Sequence, residues 1–496
     1  MVKIKFDFIS QRKKLNIMFI RLFYFILFQK KCKLYLKKSY FSKIKIFTIT
    51  MNSKFILKSG TIINEGKKII ADILINGERI ERIDSNISDQ TATEINCEGK
   101  FILPGIIDDQ VHFREPGLTH KGNIYSESRA AVAGGTTSFM EMPNVNPLTI
   151  TQDLLSEKYA IGSKKSLANY SFFMGTTNNN IEEVLKTNPN EVCGVKIFMG
   201  SSTGDMLVDN ENTLRALFSK VPILIAAHCE NETMIKNNTS SYRALYGENI
   251  PFDFHPIIRN AEACFSSSSF AISLAKEYNT RFHVLHISTK EECDLFTNDI
   301  PLSEKRITAE ACVHHLFFDA ADYGKLGSRI KCNPAIKEKS NKAAIFKALL
   351  DDKIDIIATD HAPHTWEEKS NPYFNAPAGL PLVQHSLNIM LDFYFKNQIT
   401  LEKIVEKMCH APAICFQVKE RGFVKEGFFA DLIVVDLEKK WTIDKKNILY
   451  HCGWSPLEGL ETKGAVLQTF VSGHLAYNEG VFNESKMGQR LLFNRN

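Results

Sequence analysis

The sequence predicts an α/β protein, a (β/α)8 TIM-like barrel with a small discontinuous β-domain formed by both ends of the chain. Three observations predict it. Between Phe101 and Ile357 eight short apolar runs recur, separated by longer segments of helical patterning, and that count over about 260 residues is the span of such a barrel. Both flanks of this block carry strand patterning instead. The 496 residues are 44% hydrophobic, enough for one large core and a smaller one.

The first fifty residues stand apart. They hold 13 Lys and Arg and a single acid, Asp7. The apolar run at 15–28 is broken by Arg21, is shorter than the roughly 18–20 residues of a membrane span, and precedes no small-residue cleavage site. Residues 1–50 are expected to lie outside the fold, as a mis-called start or a disordered extension. From Met51 the chain alternates as strands do: KFILKSGTIIN, then ADILI and ERIERID joined at Asn76-Gly77, the two residues of a tight hairpin. The barrel runs follow in order as FILPGIID, TTSFMEM, NYSFFMG, GVKIFMG, PILIAAHC, FHVLHIS, RITAEAC and DIIATD. Beyond residue 420, GFVKEGFFADLIVVD and AVLQTFVSGHLAYNEG read as β-hairpins. The expected domains are thus 51–103 and 421–496 for the β-domain, and 104–420 for the barrel.

Charge excludes one class of partner. The whole chain carries +5, but with the basic extension set aside residues 51–496 carry −7, which argues against a nucleic-acid-binding body. The eleven cysteines are scattered and form no CxxC pair, the pattern of structural thiols in a reduced, cytoplasmic protein.

Residues at the C-terminal end of a barrel strand sit at its mouth, where such folds do chemistry. The first run ends Asp108-Asp109-Gln110-Val111-His112, and alternation lets Gln110 and His112 aim at one point. The fourth carries Lys196, the fifth reaches His228, the sixth His286 and the eighth Asp360. Lys196 is the informative member. An ammonium in so apolar a run is costly unless neutralised or paired, and a lysine with a depressed pKa can take up CO2 as a carbamate, an anionic ligand able to bridge two cations.

The stretches IDDQVHFREPG (107–117), AGGTTSFMEMPNVNP (133–147), GVKIFMGSS (194–202), AAHCE (226–230), HVLHIST (283–289), NPAIK (333–337) and TDHAPH (359–364) strongly resemble dihydroorotases of the amidohydrolase superfamily. The tail matches in RGFVKEGFFADLIVVD (421–436) and WSPLEG (454–459), so the resemblance covers 52–490. It implies an enzyme that hydrolyses the cyclic amide of dihydroorotate reversibly to N-carbamoyl-aspartate, in pyrimidine synthesis. It implies two zinc ions: the first at His112 and Asp360, the second at His228 and His286, with Lys196, carboxylated by CO2, as the bridge. Asp360 would be the catalytic base and then the acid. Arg114, Asn144 and His364 would clamp the substrate carboxylate, while Asn333 and Ala378-Gly379-Leu380-Pro381 would meet the ring. Cys229 and Cys332 are read as packing and His283 as a support behind the ligands. The implied partner is a small-molecule substrate, with no nucleic acid and no membrane; a homo-oligomer is compatible.

One departure stands out. Where most of the family has His-x-His, this chain has Gln110-Val111-His112, and a neutral amide oxygen binds zinc more weakly than imidazole. Two alternatives therefore stay open: a hydantoinase or allantoinase, and an inactive dihydroorotase-like subunit that scaffolds a transcarbamoylase.

Overall fold

The computed structural model describes residues 54–200 and 206–495; the expectation for residues 1–50 lies outside the described residues. Eight parallel strands form the barrel: Ile106–Val111, Thr136–Glu141, the interrupted strand Asn169–Phe172 with Met174–Gly175, Val195–Phe198, Ile225–His228, Phe282–Val284, Ile307–Cys312 and Ile356–Ala358. The parallel bridge between Val111 and His361 brings the last strand back to the first, and the His112 amide donates to the His361 carbonyl at 2.7 Å. Strands covered on both faces cannot alternate polar with apolar, and these read as continuous buried runs. Between them, helices start where the sequence supplies a cap: Asn123, Thr151, Asn210, Asn231 and Asn260 each accept an amide of the first turn.

The second sheet has nine strands and draws on both ends of the described chain. Its order runs Val481–Phe482, His474–Asn478, Glu461–Val471, Leu432–Thr442, Phe101–Pro104, Lys54–Asn64, Lys67–Asn76 and Arg79–Asp84, with Thr93–Asn96 paired to Lys54–Asn64. The seam between the two ends is the antiparallel ladder of Phe101–Pro104 with Leu432–Val435. Its buried face joins Leu57, Ile73, Ile102, Leu432, Val434 and Phe470 in one core.

Two sequence readings need correction. FILPGIID is not one barrel run. It divides at Gly105, with Phe101–Pro104 in the sheet and Ile106–Val111 in the barrel. A Cβ on Gly105 would lie 2.1 Å from Thr137 Oγ1, so only glycine lets the chain pass there. GFVKEGFFADLIVVD is not a hairpin either: residues 421–431 are a loop bonded along the strand Arg79–Asp84, through Ile80 to Phe428 and Gly427 to Ile80, and Leu432–Thr442 pairs with the distant Glu461–Val471. The hairpin expected in AVLQTFVSGHLAYNEG forms, and its turn falls at Ser472-Gly473.

The chain end leaves the sheet and returns to the barrel. Leu491 donates to the Tyr170 carbonyl at 2.9 Å, and Leu491 and Phe493 belong to one buried cluster with Ile107, Met140, Phe173 and Phe416. Among the described residues no helix is long and apolar enough to cross a membrane, and the ten cysteines are free thiols, nine of them buried.

Candidate active site

Strand ends converge on one cavity of about 90 Å³ at the C-terminal mouth of the barrel. Its wall contains Gln110, His112, Arg114, Asn144, Lys196, His228, His286, Asn333, Asp360 and Gly379, so nine of the ten side chains singled out in the sequence, Gly379 apart, meet here. His364 is the exception and stands behind Arg114. Arg114, His286 and Asp360 have φ of 70°, 40° and 47°. Left-handed backbone at non-glycine residues costs about 1–3 kcal/mol each and persists only where the surroundings enforce it, as a strand-to-loop turn does here.

On one side of the cavity lie Lys196, His228 and His286. Burial brings the Lys196 ammonium down to about 7, its Nζ sits 4.4 Å over the Phe198 ring, and among the described residues no carboxylate pairs with it. A neutral amine is therefore accessible at ordinary pH, as carbamate formation requires. His228 Nε2 lies 2.8 Å from Glu230, whose other partner is Arg259 at 3.0 Å. The Arg259 guanidinium and the His228 bond hold Glu230 well below the usual carboxylate range despite its burial. Since the anion takes the Nε2 proton, the neutral His228 ring turns its Nδ1 lone pair into the site, 2.8 Å from His286 Nε2. Burial keeps both rings below the ordinary histidine pKa. His286 is fixed by its own amide, which donates to Glu310 Oε1 at 3.0 Å, and its Nδ1 is buried with no hydrogen-bond partner among the described residues.

On the other side lie Gln110, His112 and Asp360. His112 Nδ1 lies 2.7 Å from Asn144 Oδ1, so that nitrogen carries the proton and Nε2 points a lone pair at Asp360 Oδ1, 3.1 Å away. Burial holds His112 down; at Asp360 burial pushes the carboxyl up, but the surrounding His112, His314 and Lys196 side chains together outweigh it and hold the carboxyl below its usual range. A neutral nitrogen lone pair and a carboxylate at this distance repel unless a cation lies against both, so the donor chemistry fits a divalent metal. Gln110 Nε2 donates to the same Asp360 oxygen at 3.2 Å, and its carbonyl oxygen faces Cys312 Sγ at 3.6 Å.

A cationic wall completes the cavity. Burial lowers the Arg114 guanidinium to about 10, still charged at neutral pH, and its Nε donates to the Pro363 carbonyl at 3.1 Å. Lys121 donates to His364 Nδ1 at 3.2 Å, which leaves the His364 proton on Nε2 for the Ala378 carbonyl at 3.0 Å. Arg114 Nη2, 3.1 Å from that same Nε2, then meets an N–H rather than a lone pair, and its proton is left for an anion. Asn333 Oδ1 is buried with no hydrogen-bond partner among the described residues. Lys369 holds the Ala378-Gly379 loop from below, donating to the carbonyls of Lys331, Pro377 and Gly379 at 3.1, 2.9 and 3.0 Å. Gly379 has φ of 142°, and a Cβ there would lie 2.5 Å from the Ala362 carbonyl.

The amidohydrolase family matches residues 101–476. The chain belongs to that family. Within it the relatives are dihydroorotases: that of Listeria innocua serovar 6a is 32% identical over 429 residues, covering 86% of this chain and 99% of that protein, and that of Halobacterium salinarum is 30% identical over 401 residues, covering 79% and 89%. Among solved structures, an L-hydantoinase (dihydropyrimidinase) from Arthrobacter aurescens superposes with a TM-score of 0.83 at 25% identity, covering 88% of this chain and 99% of that one. This amidohydrolase is a hydrolase of cyclic amides, and its family implies dependence on a metal.

Sequence reading missed several supports of the site. Glu230 sits two residues beyond His228 in AAHCE and was legible as a partner on the same face. Arg259, Lys121 and Lys369 come from loops and short helices with no local pattern to flag them. Asp108 was read only as a strand end; Thr359 donates to it at 2.6 Å, which ties the first strand to the last beneath Asp360. His283, read as a support, is buried between Asp109 and Glu310 at 3.4 and 3.3 Å.

Proposed function

We propose that this amidohydrolase is a dihydroorotase, catalysing the reversible, zinc-dependent hydrolysis of (S)-dihydroorotate to N-carbamoyl-L-aspartate in the third step of cytoplasmic pyrimidine synthesis. The observation that carries the reading is Arg114, charged, on the cavity wall and with an Nη2 proton unclaimed by His364. A hydantoin or dihydrouracil ring bears no carboxylate to use that guanidinium; dihydroorotate bears one beside its amide.

In this reading His228, His286 and Lys196 would hold one metal and His112 and Asp360 the other, with the Lys196 amine, once carboxylated by CO2, supplying an anionic oxygen ligand. Bound there, the metal supplies Lewis-acid polarisation of the scissile carbonyl and a more acidic water. The side chains do the rest. Arg114, with Asn144 and His364, orients the substrate carboxylate so that the amide carbon faces the donors. Asn333 and the Ala378-Gly379 backbone meet the ring. Asp360, its carboxyl held below the usual range, would accept the proton of the attacking water and return it to the departing ring nitrogen.

The fold likeness to an L-hydantoinase favours one rival, a hydantoinase-type enzyme for neutral rings. The test is steady-state turnover of dihydroorotate against hydantoin and dihydrouracil by the metal-loaded full chain. Dihydroorotate should be preferred by at least about a hundredfold in kcat/KM, the scale of one well-placed charged pair. Equal or better use of the neutral rings would remove the dihydroorotase reading.

A further inference from the structure

Gln110 raises a question that the proposed function does not answer, namely what replaces the missing imidazole on the first-strand side. We propose that Cys312 is a metal ligand, its thiolate taking the place of the missing imidazole beside His112 and Asp360, with the Gln110 amide oxygen and the His314 imidazole as neighbouring donors. The inference rests on the reading that the pocket holds divalent metal.

Four observations carry it. The Gln110 amide is oriented by Asp360, which accepts from its Nε2 at 3.2 Å, so Oε1 is turned to Cys312 Sγ at 3.6 Å. With Zn–S of about 2.3 Å and Zn–O of about 2.0–2.2 Å, two donors on one tetrahedral zinc stand roughly 3.5–3.6 Å apart, which is the separation found here. Cys312, His314 and His315 each offer a ligand atom within 4.8 Å of the others, and all three are buried. Finally, neither ring nitrogen of the buried His314 makes a well-aligned hydrogen bond among the described residues, the nearest polar group being the Thr359 backbone. A buried imidazole nitrogen left poorly bonded is destabilising, and metal ligation recovers that loss.

The chain places these groups by a simple device. Cys312 ends the strand Ile307–Cys312 and His314 lies in the helix Val313–Phe317 that follows at once, so the strand-to-helix turn sets Cys312 against Gln110 of the first strand and keeps His314 close to Cys312. His315 is the lesser candidate because its Nε2 already lies 3.1 Å from the Pro334 carbonyl. Ligation balances simply: the S–H bond breaks, the S–metal bond forms and the proton leaves to solvent. The cation also offsets the negative charge of Asp360 and Glu310 around the sulfur.

The experiment is cobalt substitution of the full chain after chelator stripping, read by absorption spectroscopy and elemental analysis. Wild type should show a near-ultraviolet thiolate-to-cobalt charge-transfer band together with visible d–d bands. Cys312→Ser should lose the charge-transfer band and about one equivalent of metal per chain, while keeping d–d absorption from the site at His228 and His286. His314→Asn is the second variant, read in the same way should the serine protein fail to fold; it should keep the band but bind the first-strand metal more weakly. A wild-type cobalt protein with d–d bands and no charge-transfer band overturns the ligand assignment alone. A wild type that takes up no cobalt overturns it together with the metal reading of the pocket, and the missing d–d bands tell the two failures apart.

Discussion

The two sides of the pocket use similar donors but anchor them differently. His228 is fixed through Glu230 to Arg259, and His286 through its amide to Glu310, partners that all lie in the barrel and none of which faces the cavity. Across the cavity, His112 is oriented by Asn144, itself on the cavity wall, and Asp360 is followed within four residues by His364, which backs Arg114. The first side is set before any substrate arrives. On the second, the groups that orient the donors are those expected to touch substrate, so metal geometry and substrate geometry there are coupled. A pocket built in this way keeps one donor set rigid and lets the other respond to what is bound.

The comparison can be broken or sharpened by substitution. The largest effect is expected from Lys196→Ala, which removes the proposed link between the sides: turnover should fall by about three orders of magnitude or more, and short carboxylic acids in the buffer should restore part of it. Normal metal content and turnover in that variant would mean that the two sides are independent. Next is Arg114→Lys, which trades a planar fork for a point charge. KM for dihydroorotate should rise about 10–100-fold with metal content unchanged; metal loss at constant KM would instead make Arg114 a support of the donors.

Gln110→His acts on the second side alone. Imidazole in place of the amide should tighten that metal about 10–100-fold in a chelator titration, while the metal at His228 and His286 is released as in the parent protein. If the two metals of the parent protein leave together at one chelator concentration, the asymmetry drawn here is wrong. The smallest effect belongs to Lys369→Met, which frees the loop that carries Gly379 from its three carbonyl bonds. KM should rise a few-fold with kcat nearly constant, and thermal unfolding should report a loss of about 1–3 kcal/mol; a change in kcat alone would move Lys369 out of a positioning role.

Much of this was legible beforehand, for physical reasons that differ by region. The barrel strands were readable because strands buried on both faces must be apolar throughout, which leaves a polar residue at the end conspicuous. That is why His228, His286 and Asp360 could be named from spacing alone. FILPGIID misled because a strand of the sheet and a strand of the barrel are separated by one residue, Gly105, and apolar content does not change across it. Residues 421–431 misled because Phe423, Phe428 and Phe429 look like strand residues, yet they are used to cover the edge at Arg79; Arg79 and Arg421 each lie over the Phe429 ring at 3.9 and 3.8 Å. The cations behind the pocket were not legible at all. Arg259 and Lys369 bond across gaps of 29 residues or to several carbonyls at once, and no local spacing encodes such contacts.

The ladder that joins Phe101–Pro104 to Leu432–Val435 also has a meaning in time. Its partners lie roughly 330 residues apart, and closing a loop of that length carries an entropy cost of about 5 kcal/mol on a (3/2)RT ln n scaling. During synthesis the barrel strands, through Ile356–Ala358, emerge from the ribosome before Leu432 exists as a partner. Until then the amino-terminal ribbon offers Phe101–Pro104 as an open edge, rich in Ile and Leu and able to add a strand from any neighbouring chain. Folding of this protein is therefore exposed at that early-made edge for about two thirds of the chain's synthesis, and the carboxyl-terminal strands act as the late closure that removes it.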